Sequence, residues 1–494
     1  MWRPNRLKQM PPIPTWPDRP GPRIMTLAGN NLTIDVRARK TASSLARTGY
    51  AVIALGIDEL GEAPESEQRD GALIWRIQPP ADPRITSRVL RWSRAEIRES
   101  LRYRSEIVRA RLAVSRRYLS ERIRRADAPS PGSLLWGRVR IMYLRVSFAV
   151  SFGAYKYLAR PPRLAMLPGR WERDLPHLHR YEHSLGPIID ALQPDLIHVH
   201  DVFHIGVAVR AGQRALEAGR SLRVVYDAHE YVAGLPIDAR RRKAYQDLER
   251  EYIGQVDAVV TVSPGLAGLL LQDYGLAARV VTNAPDASTA ETTTPLRHVV
   301  GIPEDHRIAV YVGGIAPHRG AEMLIEAMNS VPPDVHLVFV AASGSSYIEG
   351  LVALAERTGV GNRVHLAPYV APEAVVSYIQ SADVSIIPLS RAIPNYEIAL
   401  PNKLFQSVQA GVPVVVSDNP EMGEYVQRTG IGEVFAGGNE ADLVRALTKV
   451  LENPDPYRSA LSDRDLQRTT SWGEQSQVLT DLYRSLGVGP EPGR

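Results

Sequence analysis

The sequence predicts an α/β protein made of two facing, doubly wound, Rossmann-like domains, with a basic helical insertion in the first. Three observations predict it. Short apolar runs alternate with amphipathic helical stretches, as right-handed crossover units require. The alternation occurs in two series, separated by the polar, Thr-rich and Ser-rich stretch Asp286–Thr294. At 494 residues the chain is also too long for one ordinary core.

The elements follow in order. Arg23–Ala28 reads as a strand, followed by the loop Gly29-Asn30-Asn31 and a helix from about Asp35 to Thr48. Further strands read at Tyr50–Leu55, Ala72–Ile77, Leu196–His200, Val224–Asp227, Ala258–Val262 and Val280–Thr282. The second series has strands at Ile308–Val312, His336–Val340, Val364–Ala367, Val384–Pro388 and Pro413–Ser417. Helices read between them at Ala321–Asn329, Tyr347–Thr358, Pro372–Ser381 and Lys403–Ala410. The expected division is an extension (1–22), a first domain (23–290, with the insertion at 82–172), a linker (291–306), a second domain (307–465), a helix returning to the first domain (466–486) and a tail (487–494). Ligands of such sheets sit at the carboxyl ends of the strands, so two facing sheets define one cleft.

Composition excludes several classes. Hydrophobic residues make up 44% and charged residues 23%, which rules out wholesale disorder and fibrous rods. There is no cysteine, so disulfides, thiolate zinc sites and cysteine nucleophiles are excluded. The first 22 residues show no apolar signal core, and Arg145 breaks the apolar stretch Ile141–Tyr155. The expected location is cytoplasmic, free or at the inner face of the cell membrane.

Charge is unevenly placed. Residues 84–125 hold 14 arginines and 4 glutamates, a balance of +10, so the rest of a chain of net +5 sums to −5. Apolar pairs Ile97/Leu101, Val108/Leu112 and Leu119/Ile123 recur every 11 residues, the period of a nearly straight helix. An aromatic-rich stretch, Leu134–Leu158, follows. Residues 84–158 are expected to dock on an anionic membrane surface. An arm packed on the protein or on a second copy is the alternative, and no module for nucleic acid accompanies the segment.

At this point the motifs acquire a family likeness. "TIDVRARKTASSLARTGYAV", "PDLIHVHD", "VVYDAHE", "VDAVVTVSPGLAGLL" and "VVTNAPD" resemble the acceptor-side half of family 4-type glycosyltransferases of the GT-B fold. "YVGGIAPHRGAEMLIEAM", "PNKLFQSVQAGVPVVVSD" and "TTSWGEQSQVLTDLYRSL" resemble the donor domain and its final helix. The resemblance implies transfer of a sugar from a nucleotide sugar to an acceptor hydroxyl, with retention, no required metal and no cofactor beyond the co-substrate. It places the protein in glycan biosynthesis, with a lipid-linked or cell-envelope glycan as acceptor. A non-catalytic partner subunit of the same fold, or a nucleotide-sugar epimerase, is the alternative.

Candidate residues follow from both lines. Gly313 and Gly314 end a strand, and Arg319 precedes a helix; glycine-lined backbone N–H groups and a fixed cation suit a diphosphate. The resemblance implies a basic residue at the Gly314 position, which this chain lacks. Asn402 and Lys403 open a helix after Pro401. The family's Glu-x7-Glu pair falls on Ile398 and Gln406, with Glu397 one residue away; Gln406 is expected at the ribose and Glu397 at the sugar. Gly29 permits close approach of a ligand to the backbone. Tyr369 either borders the base or packs in the core. His198, His200 and Asp201 end one strand, and Asp227, His229 and Glu230 another. His200 and His229 are expected at the cleft, against structural hydrogen bonding or, with the carboxylates, a metal site. No local ligand spacing supports the metal.

Overall fold

In a computed structural model the described residues are 13–33, 35–58, 61, 63–78, 139, 142–143, 146, 171–175, 177–286, 293–317, 319–341 and 346–490. The basic segment 84–125 and most of 126–158 lie outside them. Among the described residues fourteen strands form two sheets. The first contains β1 (Arg23–Ala28), β2 (Ala51–Ile57), β3 (Ser66–Arg69), β4 (Ala72–Ile77), β5 (Leu196–His200), β6 (Arg223–Ala228), β7 (Ala258–Thr261) and β8 (Ala278–Val280). Its order is β3-β4-β2-β1-β5-β6-β7-β8. The second contains β9 (Arg307–Val312), β10 (Val335–Val340), β11 (Val364–Ala367), β12 (Val384–Ile387), β13 (Val414–Ser417) and β14 (Gly432–Phe435). Its order is β11-β10-β9-β12-β13-β14. The chain divides into two compact units, residues 1–227, 237–258 and 488–494, and residues 228–236 and 259–487.

The strand sequences explain why both sheets are covered on both faces. Along β10, Leu337 and Phe339 join one apolar cluster, with Leu324, Ile325, Leu351 and Leu447. Val338 and Val340 join the opposite one, with Ile308, Val310, Tyr378 and Ile379. A strand apolar on both sides belongs in a parallel sheet sandwiched by helices. β1 and β2 show the same burial in the first sheet.

Two strands escape the periodicity reading. β3 is the polar run Ser66–Arg69, antiparallel to β4 at the sheet edge. Its turn, Asp70 (φ 50°) and Gly71 (φ 84°), places two successive residues at positive φ, the geometry an Asp-Gly hairpin adopts. β14 is a four-residue edge strand whose Gly432 brings the chain against the Val414 carbonyl; a Cβ there would lie 1.9 Å from that oxygen. β8 ends at Val280, two residues before the expected end. The helix expected over Ala321–Asn329 is shorter, Ala321–Ala327, and that over Pro372–Ser381 is Val375–Ile379.

Candidate active site

In the first unit a polar cluster is built from three elements. His198 and His200 lie two residues apart on β5 and so share a face; their rings are 4.6 Å apart. Parallel register sets Asp227 of β6 beside His200. Asp227 Oδ2 lies 3.1 Å from His198 Nε2 and 3.4 Å from His200 Nδ1. Arg37, in the first turn of helix Val36–Arg47, donates from Nε to Oδ2 (2.7 Å) and from a second guanidinium nitrogen to Oδ1 (2.9 Å). All four side chains are buried. Burial, then His200, pushes the His198 imidazole down to about 4, so the charge here is the Arg37–Asp227 pair. His198, His200 and Asp227 are close enough to hold a metal. Arg37, however, already covers both carboxylate oxygens, and its cation would oppose a divalent ion.

His200 therefore differs from its expected place. Its ring is interior, because β5 and β6 pair closely and Arg37 closes over Asp227. Asp201, next in the chain, has φ 65° and ψ 164°, a region essentially reserved for glycine. Such strain persists only where surroundings enforce it, and here the Asp201 amide donates to the Asp227 carbonyl at 3.0 Å. Gly29 follows β1; a Cβ there would touch the His204 and Phe203 rings at 3.4 Å, so it is side chains that crowd the glycine. His204 is buried beside Tyr181, with neither ring nitrogen bonded among the described residues. Burial pushes it down to about 3.

In the second unit a basic cluster forms at the carboxyl ends of the strands. After β9 the chain turns through Gly313, whose φ of 107° an L side chain rarely adopts. The Gly314 carbonyl accepts from the Tyr311 hydroxyl (3.0 Å) and from Arg319 (3.1 Å). Gly320 (φ 76°) is pressed against Pro388, at the end of β12; a Cβ would come within 2.9 Å of that ring. Lys403, second residue of helix Asn402–Ala410, extends to this loop. Its Nζ is 4.1 Å from the centroid of the Tyr311 ring and has no hydrogen-bond partner among the described residues. Burial, then Arg319, pushes Lys403 down to about 7. Asn402 and Gln406 sit one before and three after it, both half-buried, with Gln406 on the same helix face. Pro401 is the residue capping this helix rather than its first turn.

Glu397 ends the short helix Pro394–Glu397. It is half-exposed and pairs with Arg391 at 3.6 Å, which also reaches Asp418 at 3.5 Å. The segment is pinned on both sides: Asn395 accepts from the Tyr231 amide and donates to its carbonyl, and Ser263 donates to the Ile398 carbonyl. His229 is half-buried, two residues before Tyr231. Tyr369 is half-exposed beyond β11, which favours a border position over core packing. The structure thus brings Gly313, Gly314, Arg319 and Lys403 together and gives Gly29 and His200 to the other unit. Arg37, Tyr311, Arg391 and His204 were missed. Arg37 is buried with Ala38, Thr41 and Leu45, and nothing in the local sequence sets it apart from its neighbours Arg39 and Lys40.

A cavity of about 390 Å³ opens elsewhere in this unit, between β11 and helix Ser346–Arg357. Its lining is mostly apolar, with Val300, Ile325, Phe339 and Leu351, and its charged group is Glu356. It does not suit a phosphate.

Two parallel α/β sheets, with a basic cluster at the strand ends of the second, define a protein of the GT-B fold. The family described as "Glycosyl transferases group 1" matches residues 293–467, and "Glycosyltransferase Family 4" matches residues 138–288. Residues 293–467 thus carry a group 1 glycosyltransferase domain, and residues 138–288 resemble the family 4 domain. It is similar to the D-inositol 3-phosphate glycosyltransferases of Xylanimonas cellulosilytica (26% identity over 267 residues, 53% of this chain and 59% of the relative) and Mycolicibacterium smegmatis (24% over 200 residues, 40% and 44%). The chain spans about half the length of the curated relatives it matches. In fold it is similar to sucrose-phosphate synthase from Thermosynechococcus elongatus (TM-score 0.63, 16% identity, 94% of this chain and 99% of that one). It is also similar to Anabaena HepE in complex with UDP and glucose (TM-score 0.56, 14% identity, 94% and 100%).

Proposed function

We propose that the protein transfers a sugar from a nucleotide sugar to an acceptor hydroxyl. The observation that carries this reading is the cluster of Lys403, Arg319 and the Gly313-Gly314 turn, two cations beside a glycine backbone at the strand ends of a group 1 domain. Such a group stabilises a departing diphosphate, on which charge grows as the glycosidic bond breaks. Gln406 and Asn402 serve the nucleotide, and Glu397 the sugar. Retention of configuration follows the family reading, with the leaving phosphate rather than a side chain accepting the acceptor's proton. No metal is required, because the two cations do what a divalent ion would do. The names of the similar proteins support UDP-glucose among the donors to try, and inositol phosphate among the acceptors.

The test is release of nucleoside diphosphate from UDP-, GDP- and dTDP-sugars, with and without EDTA. Activity that EDTA abolishes and a divalent ion restores would reject the metal-free mechanism. Failure of every donor to bind would reject the donor site.

The same reading puts the protein on an anionic membrane, next to a lipid-linked acceptor. The +10 balance of residues 84–125 supports it. So do Val139, Met142, Tyr143 and Val146, helical residues spaced for one face and all exposed. Among the described residues no helix is long and apolar enough to cross a membrane. Flotation with liposomes containing or lacking anionic lipid, for the full chain and a form lacking residues 84–158, tests it. Equal flotation of the two forms rejects it.

A further inference from the structure

Lys403 occupies an uncomfortable place for a cation. Its nitrogen is shut off from solvent and bonds to nothing among the described residues. A buried ammonium without a partner is costly, and the neutral amine becomes competitive. The groups around it do not repair this. β9 supplies the face of Tyr311, whose hydroxyl is committed to the Gly314 carbonyl and is itself pushed up by burial. The loop after β9 supplies Arg319, a like charge. Helix Pro394–Glu397 supplies Tyr396, which acts on Tyr311, while its Glu397 is held by Arg391. Opposite Lys403 stands Gly313, where even a Cβ would be 3.8 Å from Nζ, so the backbone leaves room beside the amine.

We propose that Lys403 is a proton-coupled binding group for the diphosphate, so that a nucleotide sugar enters this site together with one proton taken up by Nζ. The proposal rests on the donor-site reading above. In the empty site, burial and Arg319 favour the amine. A diphosphate brings two negative charges, which outweigh Arg319 and make the ammonium the stable form. The proton comes from solvent and adds to the Nζ lone pair; no bond of the donor changes. With Lys403 held down to about 7, roughly half of empty sites at neutral pH must take up a proton on binding. Affinity is then level in mild acid and falls by about tenfold per pH unit above neutrality, until the pH reaches the raised value of the bound lysine.

Calorimetric titration with UDP-glucose, GDP-mannose and dTDP-glucose tests this, in pairs of buffers with different ionisation heats. These donors carry diphosphate diesters, which do not titrate near neutrality, so any proton taken up belongs to the protein. The expected uptake is about half a proton at pH 7, approaching one at pH 8.5. Lys403→Arg, permanently charged, is expected to bind with no uptake. Lys403→Met is expected to bind at least tenfold more weakly in mild acid, also with no uptake. If the Met variant does not fold, the Arg variant decides alone. Wild-type binding whose heat is independent of buffer, or uptake that persists in Lys403→Arg, overturns the proposal and leaves the donor site standing. Absence of binding by all three donors overturns both.

Discussion

Two buried polar clusters in this chain make opposite use of charge. In the first unit Arg37 and Asp227 satisfy one another through two hydrogen bonds, and His198 stays neutral beside them. In the second, Arg319 and Lys403 are two basic groups with no carboxylate bonded to either among the described residues, and burial and Arg319 drive Lys403 toward its neutral amine. A closed pair needs nothing further and holds β5, β6 and a helix start in place. An open pair of basic groups is unfavourable in its fully charged form until an anion arrives. The comparison teaches that burial of charge alone does not mark a ligand site; burial without compensation does.

The largest expected effect breaks the closed cluster. Arg37→Met leaves the Asp227 carboxylate buried without its cation, beside the neutral His198 imidazole, which costs about 3–5 kcal/mol. Loss of Arg37 also removes a charge that lowers His198, so His198 becomes easier to protonate and the penalty shrinks in acid. Urea unfolding of the variant at pH 7 and pH 5.5 measures both. Arg37→Met with Asp227→Asn is expected to cost less than the sum of the two single changes. Additive losses would show that the pair is not coupled.

His204 offers a second way to break the comparison within the same unit, since it is buried with neither nitrogen bonded. A folded-state value of about 3 against an ordinary 6.5 means that the unfolded chain binds the proton more readily. Its share of stability is complete above pH 6.5 and is lost as the pH falls toward 3. At pH 5 that loss is about 2 kcal/mol. His204→Leu is expected to gain about 1 kcal/mol at pH 7, the order of an unsatisfied buried polar group, and more at pH 5. A variant as acid-sensitive as the wild type would acquit His204.

The open cluster responds in binding rather than in stability. Arg319→Ala removes one charge-assisted contact to the diphosphate, worth about 1.5–3 kcal/mol, so nucleotide-sugar affinity is expected to fall tenfold or more. Relief of repulsion on Lys403 should raise the pH at which that lysine titrates, a shift that the proton-uptake calorimetry reads directly. Unchanged affinity and unchanged uptake would remove Arg319 from the site.

Much of the fold was legible because strand and helix periods differ and both series obey them. Arg23–Ala28, Ala72–Ile77, Leu196–His200 and Val364–Ala367 end where the apolar runs end. β3 and β14 were illegible for a physical reason: polar or four-residue edge strands lean on one neighbour and need no apolar alternation. The site divides in the same way. Gly313, Gly314 and Arg319 lie within one short strand–helix turn, so local spacing finds them. Lys403 stands 84 or more residues further on; the helix start after Pro401 marks it as a candidate, but its buried nitrogen over Tyr311 is legible only in the structure. The Arg37–Asp227 pair spans 190 residues and joins a helix start to a strand end, a contact that no periodicity encodes.

The smallest expected effect separates the nucleotide from the sugar. Gln406 shares a helix face with Lys403, and its amide bonds to no described residue. A neutral amide accepting from one ribose hydroxyl and donating to the other contributes about 0.5–1.5 kcal/mol for each bond. Gln406→Ala is therefore expected to weaken free nucleoside diphosphate and nucleotide sugar alike, by several-fold. Glu397→Ala should behave differently. Its carboxylate is half-exposed and tied loosely to Arg391, which keeps Asp418 when Glu397 is gone, so the local fold should survive. If Glu397 holds the transferred sugar, turnover falls while free nucleoside diphosphate binds as before. Titrating the free diphosphate and the intact donor into both variants reads the split. Equal losses for the two ligands in Glu397→Ala would take Glu397 away from the sugar, and a loss confined to the intact donor in Gln406→Ala would take Gln406 away from the ribose.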